Sequence, residues 1–375
     1  MKLLEYQAKE VLASLGIPIP PGRVARTPDE AADAVRDLGG VAVKAQVPVG
    51  GRGKAGGIKL AATPEEARAA AEQIIGMDIK GHTVPLVYCE GALDIAREIY
   101  LGFTVDRDNR ANILMLSAMG GMEIEQVAEE SPDAIARLHP DPWRGPLDFQ
   151  LSELVFEAGL GQHARALVPL IRKLYRAIPE YDAITAEINP LVVTGDGRIV
   201  AGDAKLETDE NADFRHRDLL ERYADTVEVD PFEAEAKAAG LAYVSLDGEI
   251  GIIGNGAGLC MGTLDLVQRA GSGAANFCDI GGGAKAEVVE NALRIILGNP
   301  RVKGVLMNVF GGITRGDEVA KGLVQARDRL KMSLPLVVRL SGTNEEEGRE
   351  ILKQNGIEPG ASGWEAAQKI VELTR

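Results

Sequence analysis

Residues 183–206 read AITAEINPLVVTGDGRIVAGDAKL, and this stretch decides how the first half of the chain folds. Two segments rich in Val and Ile flank Thr194-Gly195-Asp196-Gly197, a pattern typical of a β-hairpin. A three-residue loop places Gly197 in the left-handed backbone region, which favours glycine. The hairpin then fixes which residues of its two strands face each other.

The polar residues of this hairpin are predicted to share one face. The register places Asn189 opposite Asp203 and Glu187 opposite Lys205, and side chains alternate along a strand. The other face is expected to carry Ile188, Val192, Val200 and Leu206. Two carboxylates and an amide oxygen on one surface suit Mg²⁺ when phosphate oxygens and water complete its shell. The alternative is a solvated outer face of a sheet, the commoner fate of polar strand residues.

The composition is that of an acidic globular protein. The 375 residues are 45% hydrophobic, which suffices for buried cores, and the length suggests two or three domains. Lys and Arg number 41 against 56 Asp and Glu, a net charge of −15. This charge argues against nucleic acid or an anionic membrane surface as the main partner, so a local group of cations must hold any anionic ligand.

The sequence favours a cytoplasmic location. Residues 1–18 lack an apolar signal core, and no uninterrupted apolar run reaches ~18 residues, so neither export nor a membrane span is expected. The three cysteines, Cys89, Cys260 and Cys278, are odd in number and lack the paired spacing of zinc sites. Buried free thiols in a reducing compartment are therefore expected.

A glycine-rich loop is the second candidate site. Residues 50–57 read GGRGKAGG between two predicted strands, and Lys44 ends the incoming strand. Glycine lets backbone N–H groups approach phosphate oxygens, and Lys44, Arg52 and Lys54 supply positive charge, so a polyphosphate ligand is predicted. The spacing fits neither a Walker motif nor a dinucleotide fingerprint. The alternative is a mobile loop with solvated cations.

The elements around this loop follow from apolar spacing and capping residues. A first helix is predicted over 3–15, and Thr27 and Thr63 each begin a further helix. Glu90 follows an apolar strand, where its carboxylate can receive N–H groups of a base or ribose hydroxyls, whereas Glu98 can equally pair with a neighbouring cation. The remaining predictions are an antiparallel sheet of strands 86–90, 96–105 and 112–117, and mostly helices over 127–182.

The second half has a different pattern. Polar residues and an Ala-rich helix at 234–239 indicate a passage into a new domain, and 243–252 resembles a tight Asp-Gly hairpin. Strand–helix alternation then predicts a parallel sheet covered on both sides. The predicted strand and helix pairs are 250–254 with 257–269, 274–280 with 285–297, 302–309 with 317–330, and 334–340 with 344–354, before a last helix at 363–373.

Small residues follow each of these strands and predict an anion site. Ligands of open α/β sheets lie outside the carboxyl ends of the strands, and helix N-termini there favour a carboxylate or phosphate. The dinucleotide spacing is absent, which excludes a nicotinamide dehydrogenase. No nucleophile elbow is present, and none of the four histidines lies in a glycine-rich motif, so the chain lacks an obvious covalent nucleophile. The small-residue segments are 254–258, 281–284, 311–314 and 341–344.

Several motifs resemble the family of succinyl-CoA synthetase β-subunits, in the order that the family has them. The resemblance implies an α/β chain with an N-terminal ATP-grasp domain over 1–235, followed by a flavodoxin-like, parallel-sheet CoA-ligase domain over 236–375. The motifs are LEYQAK at 4–9, VKAQV at 43–47, GGRGKAGG at 50–57, AEINPL at 186–191, GNGAGL at 254–259 with MGT at 261–263, and NVFGGI at 308–313.

The resemblance also implies roles for particular residues. Glu187 is the carboxylate that faces a phosphohistidine visiting the nucleotide. The metal ligands for Mg²⁺ are Asn189 and Asp203. The nucleotide-binding residues are Lys44, Gly51, Arg52, Gly53, Glu90, the backbone near Leu93, and Glu98. The residues contacting the acyl substrate are Asn255, Gly312, Ile313 and Thr314.

The implied reaction belongs to the tricarboxylic acid cycle. Succinate, CoA and ATP or GTP give succinyl-CoA, a nucleoside diphosphate and phosphate, through succinyl phosphate. The phosphorylated histidine and the CoA site are expected on a partner α-subunit, which explains the missing nucleophile. Met119 stands where relatives usually carry an acidic residue, which affects only a local contact.

Two alternatives compete with this hypothesis. A malate-CoA ligase, or another acid-CoA ligase of similar build, differs mainly in the acid pocket near Asn255 and Thr314. A non-catalytic nucleotide-binding or scaffolding subunit is disfavoured, because it would not need this set of residues together: Lys44, Glu187, Asn189 and Asp203. The sequence does not choose between ATP and GTP.

Overall fold

The computed structural model describes residues 1–223, 230–282, 286–312, 315–357 and 359–375. The chain divides into two compact units, Met1–Val227 and Glu228–Arg375. The boundary predicted from the sequence, after residue 235, stays a prediction. Among the described residues no helix combines the length and apolar character that crossing a bilayer requires.

The first unit mixes short helices with antiparallel strands. Its helices are α1 (Glu5–Ser14), α2 (Pro28–Leu38), α3 (Pro64–Ile74), α4 (Ile124–Glu130), α5 (Asp148–Glu157), α6 (Ala164–Tyr175), α7 (Ala177–Tyr181) and α8 (Arg217–Tyr223). Its strands are β1 (Gly22–Ala25), β2 (Val41–Ala45), β3 (Ile58–Ala61), β4 (Asp78–Ile79), β5 (His82–Thr83), β6 (Val87–Gly91), β7 (Ile95–Asp106), β8 (Ala111–Ser117), β9 (Ile135–Leu138), β10 (Ala183–Thr194), β11 (Ile199–Ala201) and β12 (Lys205–Thr208).

The predicted helix starts are confirmed. Thr27 caps α2 by accepting a hydrogen bond from the backbone N–H of Glu30 at 3.2 Å. Thr63 caps α3 in the same way, and the Glu66 carboxylate reaches back to the cap backbone. Both caps satisfy N–H groups that the first turn of a helix leaves unpaired.

Two sheets form the frame of this unit. The smaller has the order β1-β6-β2-β3, and the larger has the order β11-β10-β7-β8-β9 with β12 also paired to β10. The prediction that β6 forms one sheet with β7 and β8 was wrong. The chain passes from the smaller sheet to the larger one between β6 and β7. The Ala92 N–H donates to the carbonyl of Gly40, which precedes β2 of the smaller sheet. The Asp94 carbonyl accepts from the N–H of Gly195, which follows β10 of the larger sheet.

The register of the hairpin is confirmed where its strands pair. Glu187 lies opposite Lys205 in the ladder between β10 and β12. Gly197 has φ +83°, the left-handed conformation that the loop requires. The Thr194 N–H donates to the Arg198 carbonyl at 2.9 Å and closes the turn.

The prediction of a single apolar face on the hairpin was wrong. Ile188 and Leu206 lie in the main core of the unit together with Leu191. Val192 and Val200 are buried but lie outside that core. The pairing of β10 with β7 shifts register between Ile188 and Leu191, and this irregularity reverses the alternation of side chains beyond it.

The second unit is a parallel sheet between helices. Its sheet order is β13-β15-β14-β16-β17; β14 pairs in parallel with β15 and β16, and β16 with β17. Counted from β14, the parallel strands follow the order 2-1-3-4, which is flavodoxin-like. The helices are α9 (Pro231–Ala238), α10 (Ala257–Arg269), α11 (Ala286–Gly298), α12 (Gly316–Arg329), α13 (Glu345–Gln354) and α14 (Gly363–Leu373). The strands are β13 (Ala242–Ser245), β14 (Ile250–Gly254), β15 (Asn276–Asp279), β16 (Gly304–Gly311) and β17 (Leu336–Gly342).

The predicted Asp-Gly hairpin at 243–252 was wrong. β13 pairs antiparallel with β15, while β14 lies between β15 and β16. The Asp-Gly segment instead runs beside the residues that precede β15: the Gly248 N–H donates to the Ala274 carbonyl at 2.9 Å. A fully buried β14 gains more from two parallel neighbours than from one edge partner.

Candidate functional site

A cavity of about 450 Å³ in the first unit brings together the hairpin and the glycine-rich loop. Its wall includes Glu187, Asn189 and Asp203 from the hairpin and Gly50–Lys54 from the loop. The loop approaches because Gly51, at φ +85°, adopts a conformation that other residues rarely take. The two candidate sites of the sequence therefore form one.

Arg52 connects the loop to the hairpin. Its Nη2 lies 2.7 Å from both carboxylate oxygens of Asp203, and its Nη1 donates to Glu5 at 2.7 Å and to the Ala45 carbonyl at 3.1 Å. Burial alone lowers the pKa of Arg52, but the carboxylates of Asp203 and Glu5 outweigh it and raise that pKa. The guanidinium is thus a fixed positive charge on the cavity wall.

Lys44 lies beside the cavity and is nearly buried. Its Nζ donates to Glu5 at 2.8 Å, to Glu90 at 2.5 Å and to the Gly202 carbonyl at 2.6 Å. Burial lowers its pKa, but Glu5 and Glu90 more than compensate and raise it, so Lys44 carries its charge. Burial raises the pKa of Glu90, and the two lysines that contact it oppose that shift.

Glu5 and Lys9 were not predicted from the sequence to have a role in a site, but they complete a charged cluster. Its members are Glu5, Lys9, Lys44, Arg52, Glu90 and Asp203. Glu5 and Lys9 project from α1, one turn apart, and Glu5 is 3% and Lys9 0% exposed. Lys9 contacts the Glu90 carboxylate, the Glu5 carboxylate at 3.0 Å and the Gly202 carbonyl at 3.0 Å. The available signal was a Glu and a Lys at i, i+4 on the helix face that also carries Ala8 and Leu12, because such a pair on a buried face needs further charged partners.

Asn189 is anchored to a neighbouring loop. Its side-chain oxygen accepts a hydrogen bond from the Gly121 N–H at 2.8 Å, and its amide nitrogen donates to the Met122 carbonyl at 2.8 Å. These bonds fix the orientation of the amide and leave its oxygen one free lone pair. Asn189 therefore presents an oriented acceptor at the cavity wall.

Glu187 is half-buried at the same wall. Burial raises its pKa, and Lys205 on the paired strand partly opposes the shift. A partly buried carboxylate such as that of Glu187 is stabilised in its charged form by any further cation that enters the cavity. Its proposed encounter with a histidine stays a prediction.

The donor set suits a magnesium ion. Asp203 supplies a carboxylate and Asn189 an amide oxygen, and in the described residues no group of three His, Cys, Asp or Glu is placed to hold a metal. Mg²⁺ commonly takes one or two protein oxygens and completes its shell with water and phosphate oxygens. The guanidinium of Arg52 on Asp203 shows that this carboxylate attracts a cation.

The other nucleotide candidates, Glu90, Leu93 and Glu98, do not themselves line this cavity. Glu90 is 2% exposed and contacts Lys9 and Lys44. Leu93 lines a separate cavity of about 710 Å³. Glu98 is half-buried, and its carboxylate packs so closely against Gly121 that a Cβ atom at position 121 would collide with it. The nucleotide roles of these residues stay predictions.

The residues predicted to contact the acid substrate belong to the second unit. Asn255 exchanges two hydrogen bonds with the backbone of Phe310, at 2.8 and 2.9 Å. The guanidinium of Arg339 lies 4.2 Å from the centre of the Phe310 ring, and its Nε has no hydrogen-bond partner among the described residues. Gly312 is exposed at the end of β16, and Ile313 and Thr314 lie outside the described residues.

Comparisons with known proteins cover the whole chain. Residues 2–193 match the ATP-grasp domain family, and residues 253–370 match the CoA-ligase family. The chain is 53% identical to the GDP-forming succinate–CoA ligase subunit beta of Thermus thermophilus over 374 residues, covering 100% of this chain and 99% of that one. It is 50% identical to the ADP-forming subunit beta of Rubrobacter xylanophilus, with 100% and 99% covered.

A solved structure shares the fold. The ATP citrate lyase of Methanothrix soehngenii, in complex with citrate and coenzyme A, superposes with a TM-score of 0.75 and covers 99% of both chains. The sequence identity is 20%, so this likeness concerns the fold alone.

Proposed function

Because this chain belongs to the family of succinate–CoA ligase β-subunits, we propose that it serves in the conversion of succinate, CoA and ATP or GTP to succinyl-CoA, ADP or GDP, and phosphate. The observation that carries this proposal is the cavity in which Arg52 and Gly51–Gly53 face Asn189 and Asp203. The names of the similar proteins favour succinate, and none of those given above favours malate.

The nucleotide is proposed to bind in that cavity. Arg52 and Lys44 offer positive charge, and the backbone N–H groups of Gly51 and Gly53 offer hydrogen bonds to phosphate oxygens. Phosphoryl transfer depends on in-line positioning and on positive charge that stabilises the negative charge of the phosphates, more than on covalent chemistry. These residues are proposed to supply both the positioning and the positive charge. The identity of the base, adenine or guanine, follows from none of them.

Asn189 and Asp203 are the proposed ligands of Mg²⁺. When bound, Mg²⁺ neutralises negative charge on the transferring phosphoryl group. On nucleotide binding, Arg52 would release Asp203 and bind a phosphate instead. The Asp203 carboxylate would then be available to the metal. The hydrogen bonds from Gly121 and to Met122 keep Asn189 oriented during that exchange.

A partner α-subunit is proposed to bring the phosphorylated histidine and the CoA site. Glu187 would orient the imidazole and stabilise its protonated form, as carboxylates do for catalytic histidines. The raised pKa of Glu187 supports this role. Burial destabilises the carboxylate form, and the positive charge of an approaching imidazolium would stabilise it. The complex is proposed to be cytoplasmic, since Cys89, Cys260 and Cys278 are free and buried.

The acid substrate is proposed to bind at the carboxyl end of the parallel sheet in the second unit. Asn255 and residues 312–314 are the candidate contacts. Arg339 supports this placement, because its guanidinium has no carboxylate partner within salt-bridge distance among the described residues. A carboxylate substrate needs such a charge.

Co-purification with the partner tests the proposal. The chain and its α-subunit are assayed for CoA-thioester formation with succinate or malate and with ATP or GTP. We expect nucleotide-dependent succinyl-CoA formation by the complex and negligible turnover by the isolated chain. Substantial ligase activity of the isolated chain would overturn the division of labour between two subunits.

A further inference from the structure

Lys9 is fully buried behind the proposed nucleotide cavity, and its ammonium group has three oxygen partners. The charged cluster contains the cations Lys9, Lys44 and Arg52 and the carboxylates Glu5, Glu90 and Asp203, so its formal charges cancel. Such balance matters because an unpaired buried charge is strongly destabilising. None of the roles assigned above requires Lys9.

The three cations differ in their access to a ligand. Arg52 lines the cavity and is 9% exposed, and Lys44 is 7% exposed. Lys9 is 0% exposed, and its ammonium group is enclosed by Glu5, Glu90 and the Gly202 carbonyl. Phosphates can attract Arg52 and Lys44, but Lys9 has no path to the cavity.

Nucleotide binding therefore disturbs the charge balance in a defined way. Arg52 and Lys44 neutralise Glu5 and Glu90 in the free protein. When phosphates draw these cations away, Lys9 is the cation that remains in contact with both carboxylates. Lys9 also contacts the carbonyl of Gly202, the residue before Asp203, and so supports the backbone at the proposed metal ligand.

We propose that Lys9 is a positioning residue for the nucleotide site: it is the permanent counter-charge of Glu5 and Glu90 that releases Lys44 and Arg52 to the phosphates. Without Lys9, the two carboxylates retain these cations and nucleotide binding weakens. Removing the charge of Glu5 has the opposite effect, because Lys44 and Arg52 then lose a competing partner. The inference rests on the proposed nucleotide site.

The test measures binding of ATP and GTP to the full-length chain by calorimetry in EDTA, so that no metal and no turnover contribute. Lys9→Met should weaken binding about 10-fold, which corresponds to one lost charged contact. Glu5→Gln should tighten binding, and the double variant should lie near the unchanged protein. Lys9→Arg should bind better than Lys9→Met, because it restores the charge.

Lys321→Met is the matched control. Lys321 also pairs with two carboxylates, those of Asp317 at 3.4 Å and Glu318 at 3.2 Å, but it belongs to the second unit. The nucleotide affinity of this variant should not change. Melting temperatures of all variants separate loss of folding from loss of binding, and if Lys9→Met does not fold, Glu5→Gln still tests the proposal.

Two results would overturn the inference: equal affinity of Lys9→Met and the unchanged protein, or weaker binding by Glu5→Gln. Failure of the proposed function looks different, since the unchanged protein itself would then bind neither nucleotide. A merely structural role of Lys9 lowers the melting temperature but gives no tighter binding in Glu5→Gln. The sign of that effect separates the two explanations.

Discussion

Arg52 and Asp203, 151 positions apart in the chain, form an ion pair in which one guanidinium nitrogen lies 2.7 Å from both carboxylate oxygens. This pair joins the glycine-rich loop to the hairpin across the cavity. It places a cation on the carboxylate that is proposed to bind a metal. Ligand binding at this cavity is therefore expected to be an exchange of partners and not a simple addition.

Removal of the Asp203 carboxylate should eliminate the metal-dependent step. In the complex with the α-subunit, Asp203→Ala is expected to abolish Mg²⁺-nucleotide-dependent phosphorylation of the partner histidine and to leave assembly intact. Labelled phosphate transfer and size-exclusion chromatography measure the two properties. Asp196→Ala is the control, because Asp196 lies exposed in the turn of the same hairpin. Normal phosphorylation by Asp203→Ala would exclude the metal role.

Arg52 should contribute to nucleotide affinity through its charge. Arg52→Met is expected to raise the nucleotide Kd about 10- to 100-fold, the value of one or two charged hydrogen bonds. Arg68→Met removes an exposed guanidinium that pairs with Asp29 away from the cavity, and it should have little effect. Calorimetric titration compares the two variants. Equal losses would point to a general effect of net charge and contradict a specific role of Arg52.

Glu187 should affect phosphoryl transfer and not nucleotide binding. Glu187→Gln keeps the shape of the side chain but no longer stabilises an imidazolium. We expect phosphorylation of the partner histidine to slow about 100-fold, as for loss of one preorganised electrostatic contact. Rapid-quench measurement of the phosphorylated partner, beside the nucleotide Kd, separates the two effects. A raised Kd with an unchanged rate contradicts the assignment.

Arg339 should select the acid substrate. Arg339→Met is expected to raise the KM for succinate about 10- to 100-fold while the KM for nucleotide stays unchanged. Lys303→Met, at an exposed lysine paired with Glu249, is the control in the same unit. Steady-state thioester formation gives both constants. If both KM values rise together, the defect lies in folding of the second unit.

Gly248 should be essential for stability of the second unit. A side chain at this position collides with the backbone of Gly273, so Gly248→Ala is expected to lower the free energy of unfolding by about 1–3 kcal/mol. Gly262→Ala is the control, because Gly262 lies inside α10 and, beyond the backbone of that helix and its chain neighbours, no atom of the described residues lies within 4 Å of the added methyl group. That change should stabilise by up to about 1 kcal/mol through helix propensity. Thermal and urea unfolding compare the two variants.

Local patterns were sufficient for most elements. The capping residues Thr27 and Thr63 predicted two helix starts, and the strand–helix alternation of the second half predicted its parallel sheet. Asp247-Gly248 was misinterpreted, because turn residues specify that the chain reverses direction but not which strand becomes the neighbour. The apolar face of the hairpin was mispredicted because the register shift beyond Ile188 depends on pairing with β7.

The sequence by itself determined the two-part architecture, the glycine-rich loop, the polar hairpin and the family to which they belong. Only the tertiary structure decided that Glu5 and Lys9 of the first helix form ion pairs with Lys44 and Glu90, respectively, beside the cavity. Periodicity and capping depend on neighbours within a few positions and can be recognised in the chain. The contacts of the charged cluster join residues that are far apart in the chain: Lys9 and Gly202 are separated by 193 positions. No local pattern specifies such contacts.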